Sequence, residues 1–508
     1  MLSLFNSAPH PACPAPFNLA GHVLARAEAL DDKIAVAVIG TDTHEEMTYA
    51  ALRAAVLGTA SGLREAGFKA GDIVLMRLGN TLDFPIAYLG ALAADLVPVP
   101  TSSALTEPEV ARIIAELNPR VILRDPNVAS APGVPELGLY ALRSLRNGAP
   151  TKFHDGDPNR LGYIVYTSGT SGQPRAVAHA HRAIWARGMM FEHWYGLTEQ
   201  DVMLHAGAFN WTYTLGTGLM DPWTVGATAL VPAPGTRPED LGPLLRKHKA
   251  TIFAAAPGVF RQMLDRSTLP PLPRLRHGLS AGEKMPQPVH DAWRKATRTS
   301  VFEAYGMSEC STFISSSPAA PVSDMALGRP QPGRQVAIVG DEGPVPTGTP
   351  GTIAVHRSDP GLMLGYVEAP QETADKFQGD WFLTGDTGEM NAAGEITYLG
   401  RSDDMMNAGG FRVSPVEVEM VVGTTPGVTS CGVAEVELSP GKRIIVAFYT
   451  APRALDEADL IAHTTERLAR YKQPRAYIHL PRLPLGPNGK LVRRRLHQFW
   501  PKSRNPHS

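Results

Sequence analysis

The sequence predicts an α/β protein: a large N-terminal domain of parallel α/β sheets with a small β-rich subdomain, then a small α+β C-terminal domain. Three observations predict it. Strands and helices alternate regularly between Asp72 and Arg124. The texture changes to short strands with Gly and Pro turns from about residue 320, and a compact mixed unit follows Asp404. At 508 residues the chain also exceeds one ordinary core, so two or more domains are expected.

In chain order, 19–30 reads as a helix, 33–39 as a strand and 49–66 as a long amphipathic helix. The regular part follows: strand 72–77, helix 83–94, strand 96–99, a helix capped by Thr106 with Pro108 in its first turn and running to about Leu117, and strand 121–124. That spacing requires right-handed crossovers and a parallel sheet with helices on both faces. A β-rich run, Tyr163 to Tyr166, stops at small hydroxyl and glycine residues, after which 176–187 is helix-compatible. Alternation resumes with 227–231, helix 239–247, strand 251–255, helix 258–265 and strand 275–280. Short strands at 335–339, 351–355 and 395–399 form the β-rich subdomain. The C-terminal unit reads as helix 415–422, strands near 428–436 and 444–449, helix 456–468 and strand 476–480.

Composition excludes several classes. Hydrophobic content of 43% and charged content of 19% describe a globular protein, and a net charge of −1 supplies no global field for nucleic acid or an acidic membrane. Three scattered cysteines, Cys13, Cys310 and Cys431, support neither a disulfide framework nor a zinc cluster. No apolar run reaches membrane-spanning length and no leader pattern is present, so the expectation is a reducing cytoplasm. The basic end, Arg493 to Arg504, belongs to a chain with no nucleic-acid-binding fold and a net charge near zero, and reads as a solvated tail rather than a nucleic-acid contact. Nothing in the sequence fixes an oligomeric state.

Five stretches carry chemistry. In Thr167-Ser-Gly-Thr-Ser-Gly172, Gly169 and Gly172 let the backbone turn its N–H groups towards an anion. Thr167, Ser168, Thr170 and Ser171 add hydroxyls and Arg175 a fixed positive charge, so this is a phosphate cradle without the Walker pattern. The plainer reading is a polar loop after a strand. Ala281, Gly282 and Glu283, in Leu279-Ser-Ala-Gly-Glu-Lys284, end an apolar strand where a flat ring can lie against backbone, or form an ordinary turn. Tyr305-Gly-Met-Ser-Glu309 sets an aromatic four residues before a carboxylate, suited to base stacking and a magnesium ion on phosphates, or to a strand end with a solvated Glu. Asp386 sits where it can accept from two vicinal ribose hydroxyls, with Arg401 as a second sugar ligand, or merely caps a surface turn. Asp403-Asp404 marks a composition boundary and a candidate hinge, dividing the chain into 1–402 and 405–508. Lys490, on the Gly486-Pro-Asn-Gly turn, is by itself an ordinary solvated lysine.

Taken together in this order and spacing, these stretches resemble the adenylate-forming superfamily of acyl-CoA synthetases, amino-acid adenylation domains and luciferases, over about residues 17–497. The resemblance implies an AMP-forming enzyme using ATP, magnesium and CoA, with a mobile C-terminal domain. Tyr166–Arg175 matches the phosphate loop, in which Thr170 and Arg175 would act on the phosphates and Thr170 with Glu309 on the metal. Tyr305 matches the adenine-stacking aromatic, with Gly306 and Ser308 in the same motif. Asp386 and Arg401 match the ribose ligands and Asp403 the hinge. Gly409 and Gly410 match the loop lining the pantetheine tunnel, and Lys490 the lysine that contacts the carboxylate during adenylation. His179 and His181 fall in a V-x-H-x-H position without assigned chemistry.

Several positions depart from the pattern: Ser171, Arg175, Ala176, Ser308 and Asn407 replace the usual Thr, Lys, Gly, Thr and Lys. None removes a required functional group, although a planar guanidinium and a compact ammonium grip phosphate differently. The acyl-pocket stretch Ala208-Phe-Asn-Trp-Thr212 carries no carboxylate to pair a substrate ammonium, which argues against a free amino acid. Gly306 stands where acetate-specific relatives have a bulky aromatic, so a larger acid is expected. Phe209, Trp211 and Ala281 are candidate pocket walls, the aromatics equally readable as core. The expected substrate is an aromatic or medium-chain aliphatic acid, with CoA as acceptor; an acyl-carrier protein is the alternative acceptor.

Overall fold

The computed structural model describes residues 1–167, 174–323, 326–402, 404–408, 411–439, 442–486 and 491–501. Its spine is a nine-stranded sheet. Six neighbouring strands run parallel, in the order Val301–Met307, His277–Ala281, Ile252–Ala255, Val202–His205, Thr228–Pro232 and Ile34–Ile39. Antiparallel strands close both edges: Ser311–Ser315 and Arg329–Pro330 on one side, His44–Thr48 on the other. A second, four-stranded parallel sheet holds Val97–Pro100, Ile73–Arg77, Val121–Arg124 and Glu136–Gly138.

The regular alternation predicted for 72–124 is therefore present, but it builds its own sheet. The apolar helix Asp83–Ala93, buried along its whole length, is what both faces of the core demand of it. Helix Glu107–Leu117 starts on the predicted Thr106 cap, completed as a capping box by Glu109. The N-terminal helix is shorter than its pattern suggested, Leu19–Val23, because the chain breaks into turns at Leu24.

The β-rich region is a seven-stranded sheet built around Gln335–Gly340, Gly351–His356 and Trp381–Met390. The strand Leu4–Asn6 adds to its edge, tying the Pro-rich N-terminus to the middle of the chain. In the C-terminal unit, strands Ser430–Ser439, Lys442–Thr450 and Ala476–His479 form one sheet. Helices Pro415–Gly423 and Glu457–Arg467 share a core with one face, and Leu496 packs into the other. Arg493, read from sequence as part of a solvated tail, instead reaches Asp404 at 3.3 Å and binds the Glu419 carboxylate. It is a structural clasp. No helix among the described residues is long and apolar enough to cross a membrane.

The main correction concerns 176–187. Ala176–Ala180 is a strand, not helix, and only Ala183–Ala186 is helical. Ala176–Ala180 pairs antiparallel with Leu161–Tyr166 on one side and Gly365–Tyr366 on the other. Short apolar runs rich in alanine do not declare their period, and here two distant partners decide it.

Candidate active site

The strands on either side of the sequence-predicted phosphate loop, Leu161–Tyr166 and Ala176–Ala180, are the two arms of this antiparallel hairpin, where the sequence predicts a strand followed by a helix. The hairpin stem is closed by the Thr167 N–H donating to the Arg175 carbonyl at 2.9 Å. Arg175 reaches out from the stem to Glu372, 2.7 Å away, both side chains partly exposed. A surface pair of this kind is weak, so the guanidinium can exchange it for a phosphate. Ser168, Gly169, Thr170, Ser171 and Gly172 lie outside the described residues, as do Asp403, Gly409, Gly410 and Lys490.

Glu309 sits in the turn between strands Val301–Met307 and Ser311–Ser315, 8% exposed. Its Oε1 accepts from the Tyr366 hydroxyl at 2.8 Å. Burial first, and then the Glu309 charge, push the Tyr366 phenol up, so it remains a donor. Arg175 and Glu372 also act on that phenol, which places the hairpin stem and the Glu309 turn in one electrostatic neighbourhood. Among the described residues there is no group of three or more His, Cys, Asp or Glu able to hold a metal. Glu309 is the described residue that would hold a magnesium ion here, where the ion would neutralise phosphate charge.

Tyr305, Asp386 and Arg401 converge. The Tyr305 hydroxyl donates to Asp386 Oδ2 at 2.5 Å, and Arg401 Nη1 donates to Oδ1 at 3.1 Å. Asp386 and Arg401 face each other across adjacent strands of the β-rich sheet, whereas Tyr305 comes from the nine-stranded sheet. Gly385, at φ +77°, allows this: a Cβ there would stand 3.0 Å from Arg401 Nη2. Ala281 pairs with Ala304, which sets Gly282 and Glu283 beside Tyr305 at the carboxyl ends of parallel strands, where ligands bind in such sheets. Gly282, at φ +99°, turns the chain away. Lys284, next in line, is committed elsewhere: it bonds Glu303 at 2.9 Å. Burial opposes the Glu303 charge, but Lys284, His290 and the Met285 amide outweigh it and hold the carboxyl down at about 2.

The proposed pocket walls divide. Phe209 is 2% exposed and packs on Phe84, so it is core. Trp211 is half-buried, edge-on to Tyr213 and clustered with Ala281. Gly306 has a reason other than room for substrate. A Cβ there would fall 2.1 Å from the Ser311 carbonyl oxygen, so the close approach of its own hairpin requires glycine.

Beneath Ser308 and Ser311 lies a buried network without any sequence signal. Arg187 pairs with Asp221 through Nε–Oδ1 at 2.8 Å and Nη2–Oδ2 at 2.6 Å, and Nη1 donates to Ser311 Oγ at 2.5 Å. Elsewhere, His205 and His277 are each 2% exposed, and burial lowers them to about 3 and about 4 respectively; Arg276 adds to the effect at His277. Each is held neutral in the folded chain but titrates normally, near 6.5, when unfolded. Their contribution is therefore complete above about pH 6.5 and is lost as pH falls towards the folded values, roughly 2 kcal/mol per histidine by pH 5. Thermal unfolding is expected to shift to clearly lower temperature between pH 7.5 and 5. A flat profile would mean that both rings reach water.

The AMP-binding enzyme family matches residues 24–367, and its C-terminal domain matches 417–490. The chain belongs to the AMP-binding enzymes. It is 31% identical to a benzoate–CoA ligase of Thauera aromatica, over 88% of this chain and 90% of that protein. Solved structures that share the fold include two CoA ligases. An anthranilate CoA ligase in complex with anthranoyl-AMP superposes with a TM-score of 0.87 at 25% identity, covering 96% of this chain and 98% of that one. A benzoate CoA ligase from Burkholderia xenovorans gives 0.84 at 27%, covering 95% and 100%. The structure brings Tyr305, Asp386 and Arg401 together and sets Glu309 in the turn that follows the Tyr305 strand. Tyr366, Glu372, His179, Arg187 and Asp221 are neighbours that only folding reveals.

Proposed function

We propose that this AMP-binding enzyme is an ATP-dependent acid:CoA ligase that adenylates an aromatic carboxylic acid and passes the acyl group to CoA. The observation that carries the reading is the convergence of Tyr305, Asp386 and Arg401 beside the Glu309 turn and the hairpin stem. That arrangement offers a ring platform, a ribose acceptor and a metal-compatible carboxylate in one row. The aromatic preference is supported by similarity to benzoate– and anthranilate–CoA ligases and by the apolar wall at Trp211 and Ala281.

In the first step a substrate carboxylate oxygen attacks the α-phosphorus of ATP in line. The bond to pyrophosphate breaks and an acyl-AMP forms. Charge accumulating on the phosphate oxygens is met by the loop N–H groups, Arg175 and Lys490. Magnesium, when bound, neutralises phosphate charge near Glu309 and Thr170. In the second step the CoA thiol, losing its proton, attacks the acyl carbonyl and AMP leaves. Lys490 must withdraw for this, which assigns Asp403 as the hinge between 1–402 and 405–508, and Gly409 and Gly410 to the pantetheine path.

The test is pyrophosphate release from ATP, with and without CoA, across acetate, octanoate, benzoate and hydroxybenzoates. CoA-dependent turnover greatest on an aromatic acid is expected. Highest turnover per KM on acetate or an amino acid would overturn the substrate class. Release stalling at one equivalent despite CoA would transfer the acceptor role to an acyl-carrier protein.

A further inference from the structure

The turn that presents Glu309 is fastened to the outgoing arm of the phosphate hairpin at several points. His179, on the strand Ala176–Ala180, places Nε2 2.7 Å from the Ser308 carbonyl oxygen. Tyr366 holds Glu309 Oε1, and its backbone pairs with Val177 of the same strand. The Met363 N–H donates to the Glu309 carbonyl at 2.8 Å, and the next residue, Leu364, donates to the Ala178 carbonyl at 2.8 Å. These contacts close a ring running from strand to turn, along 363–366 and back to strand.

The state of the His179 ring follows from its partner. A carbonyl only accepts, so Nε2 carries the proton and Nδ1 keeps its lone pair. Tyr163 stacks on the ring at 4.9 Å and 14°, fixing its plane. Nδ1 is buried without a partner among the described residues, and so is the Tyr88 hydroxyl. Both residues line a cavity of about 20 Å³, room for one water. A water there would accept from Tyr88 and donate to Nδ1, holding the tautomer that donates to Ser308.

We propose that His179 and Tyr366 are positioning residues that fix the Glu309 carboxylate relative to the strand Ala176–Ala180, the outgoing arm of the phosphate hairpin. The inference rests on the nucleotide site assigned above but not on which acid or acceptor is used. A carboxylate that shares a metal with the triphosphate must keep its distance from the loop gripping that triphosphate, and two hydrogen bonds referred to one strand supply that constraint.

The test is calorimetric binding of magnesium–ATP, in the absence of acid, and of AMP without metal, to wild type and to His179→Phe, His179→Gln and Tyr366→Phe. Tyr366→Phe is expected to weaken magnesium–ATP about tenfold, the loss of a hydrogen bond to a carboxylate, and His179→Phe about fivefold, the loss of one to a neutral carbonyl, with AMP affinity within about twofold for both. His179→Gln, whose amide nitrogen can take the place of Nε2, is expected to stay near wild type. Unchanged magnesium–ATP affinity in His179→Phe, or an equal loss for AMP, overturns the proposal. Should His179→Phe not fold, a magnesium-specific loss in Tyr366→Phe with near-normal binding by His179→Gln supports it, and any other pattern overturns it. Wild-type protein that binds both nucleotides yet adenylates no acid removes the ligase reading and leaves the positioning role standing.

Discussion

Asp386→Ala is expected to lower kcat/KM for ATP about a hundredfold while leaving the KM for the carboxylic acid within a few-fold. The carboxylate is 8% exposed, and in the proposed nucleotide site it would accept from two vicinal ribose hydroxyls. Each hydrogen bond to a charged acceptor contributes about 1.5 kcal/mol or more, and two together correspond to roughly two decades. The same carboxylate holds the Tyr305 hydroxyl and the Arg401 guanidinium, so its loss also releases both of those side chains. Asp386→Asn keeps one acceptor oxygen and should fall between alanine and wild type. Tyr305→Phe keeps the ring and loses only the tether, and should cost a few-fold. Steady-state kinetics in ATP at saturating acid separate these cases. An Asp386→Ala enzyme with an unchanged KM for ATP and unchanged kcat would remove Asp386 from the nucleotide site.

The members of that cluster could be singled out in the sequence because each sits in a short motif, although Asp386 falls in the middle of the strand Trp381–Met390 and not at its end. The motif position is a local property, whereas the meeting of the three side chains needs two different sheets to come together. Elements with a clear period were legible for the same reason. Helix Tyr49–Glu65 and the alternation through Arg124 stand where their patterns put them. What the sequence did not carry is pairing at long range. Ala176–Ala180 becomes a strand only because Leu161–Tyr166 and Gly365–Tyr366 flank it. Tyr366 meets Glu309 from 57 positions away, and Glu372 meets Arg175 from 197. Neither pair leaves a trace in composition or spacing. At Gly306 the small size was readable, but the backbone approach from Ser311 that also requires it was not.

The buried Arg187–Asp221 pair was the least legible feature, and it carries the largest expected effect on stability. Its side chains are 7% and 0% exposed, and Tyr195 and Thr217 complete the hydrogen bonding. Burial alone would lower the arginine, but Asp221 outweighs it and raises the guanidinium, which stays charged. Asp221→Ala therefore strands a cation in the interior and should destabilise the fold by about 3–5 kcal/mol, measured as a lower unfolding midpoint in urea. Arg187→Met combined with Asp221→Leu removes both charges and should recover most of that loss, since an apolar pair avoids the desolvation that an ion pair must overcome. Activity is expected to separate from stability in the double variant. Arg187 also donates to Ser311, two residues beyond Glu309, and methionine cannot. A refolded core with an unsupported turn should regain its midpoint yet keep a kcat about tenfold below wild type, the size expected for one lost charge-assisted hydrogen bond. Recovery of kcat together with stability would instead make the ion pair purely structural, and would leave the Glu309 turn dependent on its contacts to His179, Met363 and Tyr366 alone.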